Sequence, residues 1–165
     1  MHLWIRSEVR NFEKRVGITP NAVLELISKG FEVTVEESNS RALPIKEYRN
    51  AGANIVPSNS WPSAPDHAII FGLKELPENI ETLKHRHIMF GHAYKGQSGA
   101  SALLKRFKNG GGALYDLEYL LKKNGSRIAA FGYWAGFAGA AVSLKVWLHQ
   151  QNNKSPGPEN INIYA

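Results

Sequence analysis

Apolar residues in this chain fall into short runs separated by polar turns, and most runs have the length of a strand rather than a helix. Residues 3–7 open the pattern as a strand, and a charged loop follows over 8–17. Thr19-Pro20 then supplies an N-cap with proline in the first helical position, apolar residues over 22–27 recur at helical spacing, and Gly30 stops the helix. Residues 31–35 alternate like a strand and complete a β-α-β unit. The same reading predicts a short helix over 45–51, a short strand over 54–56 and a loop over 57–65. Buried strands follow over 68–72 and 87–90 with a turn of helix within 80–84, then a helix over 98–109, strands over 113–116 and 127–131, and a long helix over 134–151.

Strands alternating with helices imply an α/β fold, a Rossmann-like or flavodoxin-like three-layer domain with a mostly parallel sheet and helices on both faces. At 165 residues the chain suits one domain, expected over 1–151, and the Asn-, Pro- and Gly-containing stretch over 152–165 reads as a linker or tail.

Two of the predicted strands break at a glycine and at once present an ionisable group, in Ile69-Ile-Phe-Gly-Leu-Lys74 and Ile88-Met-Phe-Gly-His92. Residues just past strand ends of an α/β sheet face a crevice, and a lysine and a histidine there can run acid and base chemistry near neutral pH. The plainer alternatives are a Lys74 that extends to water beside Glu75 or Glu78, and a His92 satisfied by backbone hydrogen bonds. Lys95 and Gln97, just beyond His92, favour a site. Arg15 belongs to the loop after the first strand, at the same sheet edge; Arg127 precedes the strand predicted over 127–131 and falls at the opposite edge unless that strand runs antiparallel. Either arginine suits a bidentate carboxylate contact or a surface charge.

Composition narrows the classes. With 43% hydrophobic and 21% charged residues the chain reads as globular, and no apolar run approaches the roughly 20 residues that span a bilayer. The N-terminal residues lack the features of a signal peptide, so a cytoplasmic location is expected. The absence of cysteine excludes disulfides, thiolate catalysis and cysteine-based zinc sites. A net charge of +6 raises nucleic acid as a partner, but the basic residues are scattered and form no block, so anionic small molecules are the better expectation. Gly132-Tyr-Trp-Ala-Gly136-Phe-Ala-Gly139 has the wrong spacing for a dinucleotide fingerprint and is read as close helix packing. Asn109-Gly-Gly-Gly112 lacks the Lys-Ser or Lys-Thr of a phosphate loop and is read as a turn. His85 and His87 share one face of a strand without a nearby carboxylate pair, and no metal site is expected.

Taken in order, Arg6-Ser7-Glu8, Glu13-Lys14-Arg15 with Thr19-Pro20, Lys29-Gly-Phe31, Glu47-Tyr-Arg-Asn-Ala-Gly-Ala53, Gly72-Leu-Lys-Glu-Leu-Pro77, His92-Ala-Tyr-Lys95, Leu114-Tyr-Asp-Leu-Glu118, Arg127-Ile-Ala-Ala-Phe-Gly132 and Ala135-Gly-Phe-Ala-Gly-Ala-Ala141 form one series. The series resembles the N-terminal half of the NAD-dependent, lysine-forming saccharopine dehydrogenases, relatives of the alanine dehydrogenase and transhydrogenase N-terminal domain. The resemblance implies an oxidoreductase of lysine biosynthesis that interconverts saccharopine with lysine and 2-oxoglutarate, using NAD for hydride transfer and water to hydrolyse an imine. It implies that Lys74 takes the proton of the saccharopine secondary amine and that His92 handles protons during water attack. It further implies that Arg15, Gln97, Arg127 and Phe131 contact the substrate and that Lys95 and Glu118 lie on active-site motifs. Ser126 stands where the family usually has an arginine that helps hold the nicotinamide cofactor. Family members are much longer, with the Gly-rich dinucleotide fingerprint and an acidic substrate contact in a second domain, so this chain alone is expected to show no turnover. The other readings left open are a stand-alone amino-acid or dicarboxylate binding module that uses Arg15 and Arg127 as clamps, and an alanine dehydrogenase-like domain for a smaller substrate.

Overall fold

A computed structural model describes residues 1–130 and 132–153. The elements run β1 (His2–Ile5), α1 (Pro20–Ser28), β2 (Glu32–Glu36), α2 (Ile45–Asn50), β3 (Asn54–Val56), β4 (Ile69–Phe71), β5 (Arg86–Met89), α3 (Ala100–Gly110), β6 (Ala113–Asp116) and α4 (Gly132–Asn153). They divide into two compact units, the first Met1–Leu120 and the second beginning at Leu121.

The first unit is built on a six-stranded sheet in the order β3-β2-β1-β4-β5-β6, with every neighbouring pair parallel. Burial on both faces explains why β1 reads as a near-continuous apolar run, and in β2 it encloses Thr34 and Glu36 together with Val33 and Val35. With this strand order, the right-handed rule for parallel crossovers predicts α1 and α2 on one face of the sheet and α3 on the other. Trp4, Ile70 and His87 are register partners across β1, β4 and β5 and therefore share a face. On that face Trp4, Ile70 and Met89 pack with Trp61, Leu83 and Phe107 of α3 to form the main core.

The local signals act as their chemistry dictates. Thr19 Oγ1 accepts from Ala22 N at 3.3 Å, and Pro20 begins α1 with its fixed φ. The loop over 57–65 contains one 3-10 turn, Trp61–Ser63, that seats the buried Trp61.

Two expected elements are absent. Residues 80–84 form no helix, because Arg106 on α3 donates to the carbonyls of Ile80 and Pro77 at 2.6 Å each and Leu83 N donates to Arg106 O at 3.0 Å. The segment is bonded to α3 instead of to itself. Gly110 and Gly112 lie so close to the Leu83 backbone that a Cβ at either would overlap it, so the Asn109–Gly112 run is a packing contact. Residues 127–130 form no sheet strand, since Arg127 makes an isolated antiparallel bridge with Leu121 across the turn closed by Gly125 N to Lys122 O. Phe131 and residues 154–165, most of the expected tail, lie outside the described residues. In α4, a Cβ at Gly136 or Gly139 would meet nothing within 4 Å, which corrects the expectation of close packing there.

Candidate active site

The strand order reverses direction between β1 and β4, and ligands of open α/β sheets bind outside the carboxyl ends of strands at such a point. Arg6, Ser7 and Glu8 leave β1 there, and Gly72, Leu73 and Lys74 leave β4. The Arg6 guanidinium is buried, meets Glu8 at 3.2 Å and donates to the backbone carbonyl of Lys74. Burial pushes the Arg6 pKa below its ordinary value, against the pull of Glu8 and Glu36. The Glu8 carboxylate accepts from Leu73 N at 2.6 Å and Lys74 N at 3.0 Å. Lys74 is therefore held by its backbone on both sides while its side chain remains half-buried. Position 72 requires glycine, because a Cβ there would overlap the Arg6 guanidinium. Glu75, one expected partner of Lys74, pairs with Arg10 at 3.0 Å instead.

The strand beside it delivers His92 to the same edge. Gly72 N donates to Ile88 O at 3.0 Å and Phe90 N to Leu73 O at 3.2 Å, so Lys74 and His92 lie one and two residues beyond a hydrogen-bonded pair. His92 adopts a left-handed backbone with φ of 50° and stacks on Phe90 with ring centroids 6.2 Å apart. Its Nδ1 faces Glu118 Oε2 at 3.8 Å, and the other oxygen of this buried carboxylate accepts from Lys95 Nζ at 2.8 Å. Asp116, at the end of β6, fixes the arrangement by accepting from both Gly91 N at 3.2 Å and Glu118 N at 3.0 Å. Gly91 leaves room for Leu114, which a Cβ would approach to 2.8 Å. A cleft of about 510 Å³ opens beside this group, lined by Glu75, Phe90, His92, Gln97, Leu103 and Arg106.

Arg15 lies in the loop after β1, where its guanidinium donates to both oxygens of Glu13 at 2.8 and 2.5 Å. These bonds hold the Glu13 carboxyl below its usual range and raise Arg15 further. Glu13 also feels the positive charge of Lys74. The first unit thus brings Lys74, His92, Lys95, Gln97, Glu118 and Arg15 to one rim of the sheet. Arg127 and Ser126 belong to the second unit, where Ser126 donates to Asn124 Oδ1 from its amide at 3.1 Å and its hydroxyl at 2.8 Å. Sequence reasoning assigned no role to Arg6, Glu8, Asp116 or Glu36. Charged residues set directly against apolar strand ends were the available signal for all of them.

Known proteins match the sequence along most of its length. The family model for the alanine dehydrogenase/PNT N-terminal domain matches residues 4–138. A saccharopine dehydrogenase [NAD(+), L-lysine-forming] of Schizosaccharomyces pombe is 51% identical over 150 residues, 90% of this chain and 41% of that protein. The protein of the same name in Candida glabrata is 52% identical over 153 residues, 92% of this chain and 41% of its own. The chain thus spans about two-fifths of the length of these relatives. An alpha-aminoadipic semialdehyde synthase of Rattus norvegicus is 32% identical over 81% of this chain and 14% of its own. Among solved structures, an L-alanine dehydrogenase superposes with a TM-score of 0.67 at 19% identity, covering 95% of this chain and 43% of that one. A transhydrogenase from Sinorhizobium meliloti gives 0.59 at 22% identity, covering 74% and 36%. At those identities the structures establish the fold alone.

Proposed function

Because the chain belongs to the family of alanine dehydrogenase/PNT N-terminal domains, with relatives named saccharopine dehydrogenase at about 50% identity, we propose that it is the substrate-side part of such an enzyme. The observation that supports this reading is the Leu73–Phe90 hydrogen bond, one residue before Lys74 and two before His92 at the same sheet edge, with Glu118 3.8 Å from the imidazole. In this reading the substrate is saccharopine, and the products are lysine and 2-oxoglutarate. Lys74 accepts the proton of the secondary amine as that amine becomes an imine, and His92 moves protons while water adds to the imine carbon. Lys95, Gln97 and Arg15 supply positive charge and donors for the substrate carboxylates, with Arg127 and Phe131 as further contacts contributed by the C-terminal part of the chain. The Arg6–Glu8 pair positions Lys74 through its backbone.

NAD does not fit the residues described. Among the described residues no strand leads into α4, its glycines lack Gly-x-Gly-x-x-Gly spacing, and Tyr133 and Trp134 stand exposed at its start. Hydride transfer is accordingly assigned to the part of the relatives that this chain does not span. Among the described residues no helix is long and apolar enough to cross a membrane.

The test is complementation. Fused to the cofactor domain of the fission-yeast relative, the chain should form NADH from saccharopine and release lysine. A Lys74→Met, His92→Gln variant should lose about 10²-fold or more of that rate. Undiminished turnover in the double variant overturns the assignment. The binding-module alternative uses Arg15 and Arg127 as carboxylate clamps and needs no cofactor domain. Tight calorimetric binding of 2-oxoglutarate to the chain alone would favour that alternative.

A further inference from the structure

We propose that His2, Glu32 and His67 form a zinc-binding site on the rim of the sheet opposite Lys74 and His92. His2 begins β1, Glu32 begins β2, and His67 precedes β4, so the three stand at the amino ends of three adjacent strands. His2 and Glu32 are register partners in the parallel β1–β2 pair, which places their side chains on one face of neighbouring strands about 4.8 Å apart. His2 Nδ1 lies 3.7 Å from Glu32 Oε2, the His2 and His67 ring centroids are 5.9 Å apart, and one ligand atom from each of the three residues lies within 4.8 Å of the others.

An exposed histidine and an exposed carboxylate are ordinary on a surface. His2 is not, because it is 4% exposed and its Nδ1 is buried without a hydrogen-bond partner. A buried polar atom in that state is costly unless something arrives to use it. The other ring nitrogen, Nε2, sits 2.9 Å from Thr34 Oγ1. If Nε2 carries the proton and donates to Thr34, the Nδ1 lone pair points toward Glu32 and His67, the second-sphere arrangement that orients metal-bound imidazoles. Burial also lowers the His2 pKa, which favours the neutral, ligating form.

Tetrahedral zinc with bonds of about 2.0–2.2 Å holds its ligands roughly 3.3–3.6 Å apart. The His2–Glu32 spacing is already near that, and the exposed Glu32 and His67 side chains need only rotamer adjustment to close on the ion. Two imidazoles and one carboxylate are borderline-soft donors that suit zinc better than calcium or magnesium and leave a fourth position for water. The ion would cross-link β1, β2 and the segment entering β4, far from the candidate active site.

Calorimetric titration of the full chain with zinc sulfate tests this, alongside thermal unfolding with and without the metal. One equivalent should bind and raise Tm. His67→Ala and Glu32→Gln, both at exposed positions, should each weaken binding by about 10- to 100-fold with metal-free Tm little changed, and Thr34→Val, which also removes the partner of the buried Nε2, should weaken it by about 10-fold. His92→Gln, on the other rim, should keep the full equivalent. The proposal is overturned if zinc in excess over protein neither binds nor shifts Tm, or if the His67 and Glu32 variants bind zinc as the parent does.

Discussion

Two of the buried glutamates at the carboxyl rim of the sheet, Glu36 and Glu118, have surroundings that differ in kind. Glu36, at the end of β2, is fully buried and accepts from Trp4 Nε1, Ser7 N and Oγ, Asn59 N and Trp61 N at 2.6–3.0 Å. Its partners are neutral donors from β1 and from the loops that follow β1 and β3, so it ties the frame of the rim together. Glu118, just past β6, faces the cationic Lys95 and the imidazole of His92, both on partly exposed side chains. A ligand can replace partners of the second sort and cannot reach partners of the first. Scaffold and site are thus told apart by what a carboxylate's partners are, although both carboxylates are buried.

The comparison breaks first at Glu36. Glu36→Leu leaves several backbone and indole donors buried without acceptors and should cost about 3–5 kcal/mol in urea unfolding. A loss below about 1 kcal/mol would show that these donors find water and that Glu36 is no scaffold.

A second test falls on a histidine of β5. His87, within β5, is packed against Trp61 and Phe107 at ring distances of 5.0 and 5.4 Å, and burial pushes its pKa down to about 3. The unfolded chain takes up this proton near 6.5 and the folded chain does not, so stability should fall as pH drops from about 6.5 toward 3, at about 1.4 kcal/mol per pH unit from this group. His87→Leu should remove that contribution from a denaturation series against pH. An unchanged acid slope would place the titrating group elsewhere.

Smaller effects are expected at the exchangeable pairs. Glu118→Gln still accepts from Lys95, whose ammonium can rehydrate, and should cost under about 1.5 kcal/mol in stability while impairing the complemented enzyme. Arg15→Ala should cost about 1 kcal/mol, since Arg15 is half-exposed and the buried Glu13 carboxylate keeps the backbone amide of residue 15 as a donor. The depressed Glu13 carboxyl adds stability above the ordinary carboxylate range and loses it as pH falls through its folded value, so the variant should lack that small acid-labile part. Thermal unfolding across the acid range measures both.

Local chemistry made much of the fold legible. Thr19 and Pro20 begin a helix for reasons contained in themselves, and the apolar runs ending at Gly72 and Gly91 name two strand ends and hence Lys74 and His92. Where local pattern misled, a distant partner intervened. Ile80 and Leu83 have helical spacing, yet Arg106 on α3 takes their segment as its acceptor. Arg127-Ile-Ala-Ala looks like a strand, yet Arg127 bridges to Leu121 across a short turn rather than to the sheet.

What the sequence by itself determined is the kind and order of elements, because caps, glycine stops and apolar periodicity act over a few residues. Which charges meet was decided only by the tertiary structure. Arg6 reaches the Lys74 backbone across 68 residues and Lys95 reaches Glu118 across 23, because strand order and parallel register set those ends side by side. The same register aligns His2 with Glu32 at the opposite rim, a pairing that no local spacing encodes.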